Sequence, residues 1–121
     1  MSKDEIKKPV VLIYCDTIEG TNIYLKKICE GLEEEGVPFQ IQQVEKVEDS
    51  VEVLAQNASR NSNLGIGIGV LKNGDCALLQ RRLPPNLPIQ TLRGEKYDPN
   101  LYRNIGINAA RLAKNLPLVF A

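Results

Sequence analysis

Three consecutive glutamates, Glu33, Glu34 and Glu35, are the densest charge of one sign on the chain. They belong to the run GLEEEGVP at residues 31–38, whose glycines and proline predict the end of a helix. Acidic side chains stabilise the first turn of a helix but destabilise the last, where the helix dipole is already negative. We therefore expect a cation or a basic partner to compensate the charge of this cluster.

A carboxylate at this helix end could give one or two oxygen ligands to Mg2+ or Ca2+. These ions take about six or more oxygens, so a partner would have to contribute the rest of the shell. The alternative is a solvated acidic patch without a bound ion. Histidine, the commonest general base and transition-metal ligand, is absent from the chain.

Two features after the first predicted strand could handle phosphate. The hydroxyl-bearing loop 16–22 precedes a predicted helix, where α/β proteins place ligands, so a flavodoxin-like flavin site is one interpretation. Cys15 could carry a phosphoryl group, like the cysteine of sugar phosphotransferase domains. However, Asp16 would raise the pKa of that thiol and, with Glu19, repel phosphate. An ordinary helix-capping loop and a buried structural cysteine are therefore favoured.

Other candidate motifs are weaker. Gly65, Gly67 and Gly69 form GxGxG, which lacks the GxGxxG spacing of dinucleotide-binding proteins and precedes a turn instead of a helix. These glycines are better explained as thinning a strand so that a helix, such as the one carrying Gly106, can pack closely. Several basic residues could form anion sites, with solvated faces and surface salt bridges as the favoured alternative: Arg81, Arg82, Arg93, Arg103, Arg111 and Lys114.

Composition excludes several classes of function. Fifteen Lys plus Arg balance fifteen Asp plus Glu, and no basic run exceeds two residues, so a nucleic-acid or anionic-membrane surface is not expected. The apolar run at residues 10–14 is far too short to span a membrane, and residues 1–8 lack a signal-peptide core, so we expect a cytoplasmic protein. The three cysteines form no CxxC pair and indicate neither a disulfide framework nor a zinc site.

Hydrophobic periodicity predicts alternating strands and helices. Predicted strands lie at 10–14, 39–44, 64–71 and 75–80, with a hairpin at Asn73-Gly74 and a further strand at 89–92. Predicted helices run from 24 to 32, from a capping box formed by Asp49 and Glu52 to 61, and from the Asp98 N-cap to 116. A glycine inside the last helix costs about 1 kcal/mol relative to alanine, which indicates a close backbone contact at Gly106.

This order predicts the fold class and the domain limits. Strands alternating with helices indicate an α/β fold, here a single-domain layered sandwich with a mainly parallel sheet and three helices. Residues 1–8 are predicted to be a flexible N-terminal segment. Residues 9–121 are predicted to form the one domain, since a chain of this length supports one hydrophobic core.

Three segments together resemble a known family. GLEEEGVPF, GIGIG and YRNIGINAARLAKNLPL are similar to the small subunit of the reactivating factor for coenzyme-B12-dependent diol and glycerol dehydratases, over about residues 9–119. The last segment is the most specific. Seven of its residues stand at the family spacing: Arg103, Gly106, Asn108, Ala109, Leu112, Lys114 and Pro117. The same segment also resembles the medium subunit of the dehydratase itself.

The resemblance implies a chaperone-like, non-catalytic subunit. In the family, a large subunit with an Hsp70-like fold hydrolyses ATP, and the small subunit mimics the dehydratase medium subunit. The complex docks on the dehydratase large subunit, exchanges subunits and releases damaged cobalamin. By this resemblance the chain itself binds no cofactor, while ATP or ADP belongs to the large subunit and cobalamin to the dehydratase. The setting is propanediol or glycerol metabolism in the cytoplasm, inside or outside a bacterial microcompartment.

The resemblance also assigns site residues. A glutamate of the GLEE motif, here Glu34, reaches across to a Mg2+ (or Ca2+) held mainly by the large subunit. The motif and partner-interface residues of this chain are then Glu33, Glu34, Gly36, Pro38, Arg103, Gly106, Asn108, Arg111 and Lys114. A medium-subunit-like component of a dehydratase and a small flavodoxin-like or phosphotransfer domain remain the alternatives.

Overall fold

The computed structural model describes residues 8–45 and 50–120, and within them strands and helices alternate as predicted. In chain order the elements are β1 (Val11–Cys15), α1 (Asn22–Glu34), β2 (Phe39–Gln43), α2 (Val51–Asn61), β3 (Ile66–Val70), β4 (Cys76–Gln80), β5 (Gln90–Leu92) and α3 (Pro99–Ala113). Among these helices, none is long and apolar enough to cross a membrane.

The five strands form one mixed sheet in the order β2-β1-β3-β4-β5. The central strand β1 pairs in parallel with β2 and β3, whereas β3–β4 and β4–β5 are antiparallel. The predicted hairpin is present, with Gly74 at φ 96° and the Leu71 N–H donating to Asp75 O at 2.9 Å. The sheet is therefore less parallel than predicted, because this hairpin reverses one half of it.

The sheet carries helices on both faces, which confirms the layered α/β fold. Side chains of β1 alternate between the faces: Ile13 joins the cluster with α1 and α3, and Leu12 and Tyr14 pack against α2. Ala77 and Leu79 of β4 also face α2. A strand covered on both faces is apolar at every position, which accounts for the continuous hydrophobic run in β1.

Gly67 and Gly69 bring α2 close to the sheet. A β-carbon built on Gly67 would overlap Ser59 N, and one on Gly69 would lie 2.8 Å from Val51 O. The strand-thinning interpretation of the GxGxG run therefore agrees with the structure. The suggested helix was wrong, because α2 packs here and the helix carrying Gly106 lies on the opposite face.

Gly106 of α3 instead meets α1, where Gly31 is its counterpart. A β-carbon on Gly106 would overlap Ile28 O, and one on Gly31 would overlap Arg103 O. Each glycine thus touches the backbone of the other helix. This two-glycine crossing fixes α3 against α1 and sets which of their side chains can meet.

The helices begin and end close to the predicted residues, except at the start of α2 and the end of α3. Asp98 accepts from Asn100 N at 3.0 Å as the predicted N-cap of α3. Ser50 is the N-cap of α2, accepting from Val53 N at 3.1 Å, whereas the predicted cap, Asp49, lies outside the described residues. Helix α3 ends before 116 because Asn115 turns left-handed at φ 58°. The segment 1–8 also lies outside the described residues except for its last residue, so the domain limits stay a prediction.

The crossing predicts that Gly31→Ala and Gly106→Ala each destabilise the fold. Helix propensity alone would make either change favourable by about 1 kcal/mol. The overlap with a neighbouring backbone should reverse that sign and lower the free energy of unfolding by about 2 kcal/mol or more, measured by urea denaturation. Lys26→Ala, on the exposed side of α1, is the control and should change stability by less than about 0.5 kcal/mol. Stabilisation by either glycine variant would contradict the crossing.

Candidate functional site

The acidic end of α1 lies against basic side chains of α3. Glu34 and Arg103 form a two-pronged ion pair, with Arg103 Nε donating to Oε2 and Nη2 to Oε1 at 2.7 Å each. Both side chains are about half exposed, at 45% for Glu34 and 40% for Arg103. Hydrogen bonding to Glu34 raises the pKa of the Arg103 guanidinium. The expected basic partner of the acidic cluster is thus found within the chain.

Glu35 is paired with two further cations, Arg111 of α3 and Lys114, which follows the last residue of α3. Lys114 Nζ donates to Glu35 Oε1 at 3.0 Å and to the Glu35 backbone oxygen at 2.7 Å. Arg111 Nε lies 3.7 Å from Glu35 Oε2. The hydrogen bond from Lys114 holds the pKa of the Glu35 carboxyl below its ordinary value, and the positive charges of Arg111 and Lys114 act in the same direction. We call Glu34, Glu35, Arg103, Arg111 and Lys114 the charged seam.

Glu33 stands apart from this pairing. It is exposed, and within the described part of the chain no ion-pair partner contacts it. Gly36 and Pro38 follow it in the turn that ends α1. Gly36 has φ 74°, its N–H donates to Glu33 O at 3.0 Å, and the next N–H, of Val37, donates to Leu32 O at 3.2 Å. This is a Schellman ending, and it explains why the motif needs a glycine at this position.

Two motif residues lie in the interior of the fold. Gly106 is buried at the helix crossing, and Asn108 is 0% exposed. The Asn108 amide accepts from Val119 N and donates to Val119 O, both at 2.8 Å, and it also donates to Gln90 Oε1 at 2.9 Å. In the isolated fold both residues contribute to packing, and a partner-interface role for them stays a prediction.

The amide cluster around Asn108 was not anticipated from sequence. Asn104 donates to Val119 O at 2.7 Å and accepts from Gln90 Nε2 at 2.7 Å. These amides fasten the chain after α3 to both α3 and β5. The available signal was two asparagines spaced i, i+4 on the otherwise apolar face of a helix, which would require buried hydrogen-bond partners.

Among the residues that the structure describes, no three or more His, Cys, Asp or Glu side chains are grouped so that they could hold a metal ion. Glu34 fits the role of one ligand, since its carboxylate is a hard oxygen donor at the surface. Its two oxygens are engaged by Arg103, so binding a cation would require opening or sharing that ion pair.

The phosphate interpretations gain no support from the geometry. Burial raises the pKa of the Cys15 thiol, and the charge of Asp16 acts in the same direction, so the reactive thiolate is disfavoured. Several donors of the loop 16–22 are already engaged within the chain: Ile18 N donates to Gln43 Oε1 at 2.8 Å, and Thr21 Oγ1 donates to Thr17 O at 2.7 Å. Asp16 Oδ1 is buried without a hydrogen-bond partner among the described residues, and a carboxylate oxygen there would repel phosphate. Cys15 is therefore a buried structural cysteine, as favoured.

Two other basic candidates, Arg93 and Arg81, lie at the protein surface. Arg93 donates to Glu52 at 2.7 Å and lies 3.6 Å from Asp75, as a surface salt bridge would. Next to it is an open depression of about 390 Å³, lined by Asn73, Asp75, Arg93, Gly94 and Glu95. Arg81 packs beside Gly65, which has φ 72°.

Comparison with known proteins gives a consistent result over nearly the whole chain. The family model described as dehydratase medium subunit matches residues 8–119. The diol dehydratase-reactivating factor small subunit of Klebsiella michiganensis is 35% identical over 102 residues, covering 83% of this chain and 77% of that protein.

Two solved structures share the fold. A glycerol dehydratase reactivase chain superposes with a TM-score of 0.85 and 33% identity, covering 93% of this chain and 98% of its own. A diol dehydratase-reactivating factor, complexed with ADP and Mg2+, gives a TM-score of 0.80 and 31% identity, covering 94% and 100%. The identity and coverage extend the likeness beyond the fold to the sequence.

The charged seam predicts a specific pH dependence. A carboxyl whose pKa is lowered in the folded state stabilises the fold above its unfolded pKa, and this contribution is lost as the pH falls through the folded pKa. We therefore expect Glu35→Gln to reduce the loss of stability between about pH 5 and pH 3, measured by urea unfolding. Glu33→Gln, which removes the neighbouring unpaired charge, is the control. Equal pH dependence in both variants would contradict the pairing of Glu35.

Proposed function

Because this chain belongs to the dehydratase medium subunit family, we propose that it is the small, non-catalytic subunit of a factor that reactivates a coenzyme-B12-dependent diol or glycerol dehydratase. The observation that carries this proposal is the joint likeness in sequence and fold to reactivating-factor chains over almost the full length. A small subunit implies a large one, which is the first partner of the chain.

The side-chain chemistry supports a binding role. Histidine is absent from the sequence, and the thiols are poorly suited to nucleophilic attack. The pKa of Cys29 is raised to about 11, mainly by burial and to a smaller extent by the charge of Glu33. Burial also raises the pKa of Cys76. A chain with protonated thiols and paired surface charges is better suited to docking than to covalent or acid–base catalysis.

The proposed mechanism is subunit exchange. The chain mimics the medium subunit of the dehydratase and replaces it on the dehydratase large subunit, which opens the enzyme and lets damaged cobalamin leave. An Hsp70-like large subunit supplies ATP hydrolysis. Support for a nucleotide and Mg2+ on such a factor comes from the structural relative complexed with both. The protein would work in the cytoplasm, inside or outside a bacterial microcompartment.

Within this mechanism Glu34 is the residue that we assign to a shared metal. One of its oxygens would join a Mg2+ or Ca2+ whose other ligands come from the large subunit. Arg103 then has a defined part: it neutralises Glu34 in the free chain, and in the complex it would either share the carboxylate with the metal or release a hydrogen bond to it. The rest of the charged seam, with the exposed Glu33, Gly36 and Pro38, is the proposed partner surface.

A second candidate is a medium-subunit-like component of a dehydratase, since the matching family model carries that description. The two candidates predict different reconstitution results. A reactivating subunit should restore an inactivated dehydratase together with its large partner and ATP. A dehydratase component should instead be required for basal turnover of the enzyme.

We expect the purified chain to hydrolyse no ATP and to co-elute with the large reactivase subunit, or with the dehydratase large subunit, at micromolar concentration. The physical reason is that it offers a docking surface but no competent catalytic group. Size-exclusion chromatography and a phosphate-release assay provide the measurements. Failure to co-elute with either partner would overturn the proposed function.

We expect Glu34→Gln to weaken assembly with the large subunit about tenfold or more in Mg2+. The reason is that the shared metal would lose a charged ligand at an interface that the complex buries. Calorimetry in Mg2+ and in EDTA gives the dissociation constants, and urea unfolding checks that the free chain keeps its fold.

Two variants serve as controls for that experiment. Glu33→Gln removes an adjacent charge of the proposed partner surface but keeps the Glu34 carboxylate, so it should weaken binding less than Glu34→Gln and its binding should remain dependent on Mg2+. Arg103→Gln breaks the same ion pair but keeps the Glu34 carboxylate, so its binding should remain dependent on Mg2+. Equal dissociation constants for the wild type in Mg2+ and EDTA would exclude the metal role of Glu34.

A further inference from the structure

The hydrogen bonds that hold the chain following α3 are made by its backbone. Residues 116–120, here called the post-helix segment, begin after the left-handed Asn115. Both polar backbone groups of Val119 bind the buried amides of Asn104 and Asn108. Main-chain binding of this kind is indifferent to the side chains of the bound segment, which stay free for other contacts.

Three side chains of the segment are both apolar and exposed, while Leu118 is half-buried. Leu116, Val119 and Phe120 are 42%, 46% and 60% exposed. They account for three of the seven large exposed apolar residues of the described chain, and they fall within five consecutive positions. The other four are spread over separate loops and the start of α1. Scattered exposed apolar residues are ordinary, but a concentrated group indicates an interaction surface.

The post-helix segment is also continuous with the charged seam. Arg111 Nη1 donates to Pro117 O at 3.1 Å, while Arg111 Nε faces Glu35. Leu116 N donates to Arg111 O at 2.9 Å. One arginine thus joins the apolar segment to the surface on which the proposed partner would dock. A partner that covers Glu34 and Glu35 would meet this segment next.

We propose that the post-helix segment is a second docking element for the large reactivase subunit, which would receive Leu116, Val119 and Phe120 in an apolar groove. This inference rests on the proposed function. An apolar core beside a polar, charged rim is the usual composition of a protein interface. Fastening the segment through Asn104 and Asn108 before the partner arrives lowers the ordering cost of binding.

The experiment compares side-chain variants that leave the backbone anchors in place. Two proteins are compared with the wild type by calorimetry: the double variant that combines Val119→Ser with Phe120→Ser, and the single variant Phe120→Ser. Each should bind the large subunit at least about tenfold more weakly, a loss of about 1.4 kcal/mol in binding free energy. Ile23→Ser is the matched control, since Ile23 is 50% exposed at the other end of α1, and it should change binding by less than about twofold. Amide hydrogen exchange at Val119 verifies that the segment is still fastened.

The outcomes separate this inference from the proposed function. Normal binding by the variants, alongside a wild type that binds, overturns the docking role of the segment and leaves the proposed function standing. Equal weakening by Ile23→Ser also overturns it. A wild type that does not bind the large or the dehydratase subunit overturns both. Self-association of the free chain that is abolished by Phe120→Ser would assign the segment to a second copy and overturn the partner assignment.

Discussion

The close crossing of α1 and α3 is the constraint on which the functional surface depends. Gly31 and Gly106 let each helix touch the backbone of the other, so the axes are closer than side chains would allow. At that distance Arg103 reaches Glu34 with both prongs. A different face of α3 presents Asn108 to β5 and to the chain that follows. Two residues without side chains therefore determine where the charged and apolar contacts lie.

The charged seam compensates the acidic side chains at the C-terminal end of α1, where the helix dipole is already negative. Two of the three acids near the last turn of α1 are paired with cations from α3 and the residue that follows it. The remaining acid, Glu33, has no such partner among the described residues and faces solvent. Exposed pairs of this kind add little to stability, since solvent screens them and their long side chains lose entropy. In the proposed complex, their role would be to neutralise a carboxylate-rich surface until the partner covers it.

Local features were predictable from sequence, and long-range partners were not. The Asp98 cap, the Gly36 ending and the Asn73-Gly74 hairpin depend on neighbouring residues, so the sequence contains their whole cause. The partner of Glu34 is 69 residues away, and no periodicity could have selected Arg103 over the other basic residues. The glycine spacing indicated close packing in β3 but could not identify α2 as the helix concerned. The resemblance named the motif residues without separating the buried Asn108 from the exposed ones.

Because the formal net charge of the chain is zero and the acids and bases of the charged seam pair with one another, we expect the protein to project only a weak electric field. Closely spaced opposite charges cancel at a distance, and salt screens what remains beyond roughly 8–10 Å. A partner would then meet this protein by unassisted diffusion, with little electrostatic steering of the encounter. Discrimination between two similar partner surfaces would depend on how long each complex survives, that is, on the dissociation rate. In the subunit exchange proposed above, the lifetime of each complex is the property that these contacts would control.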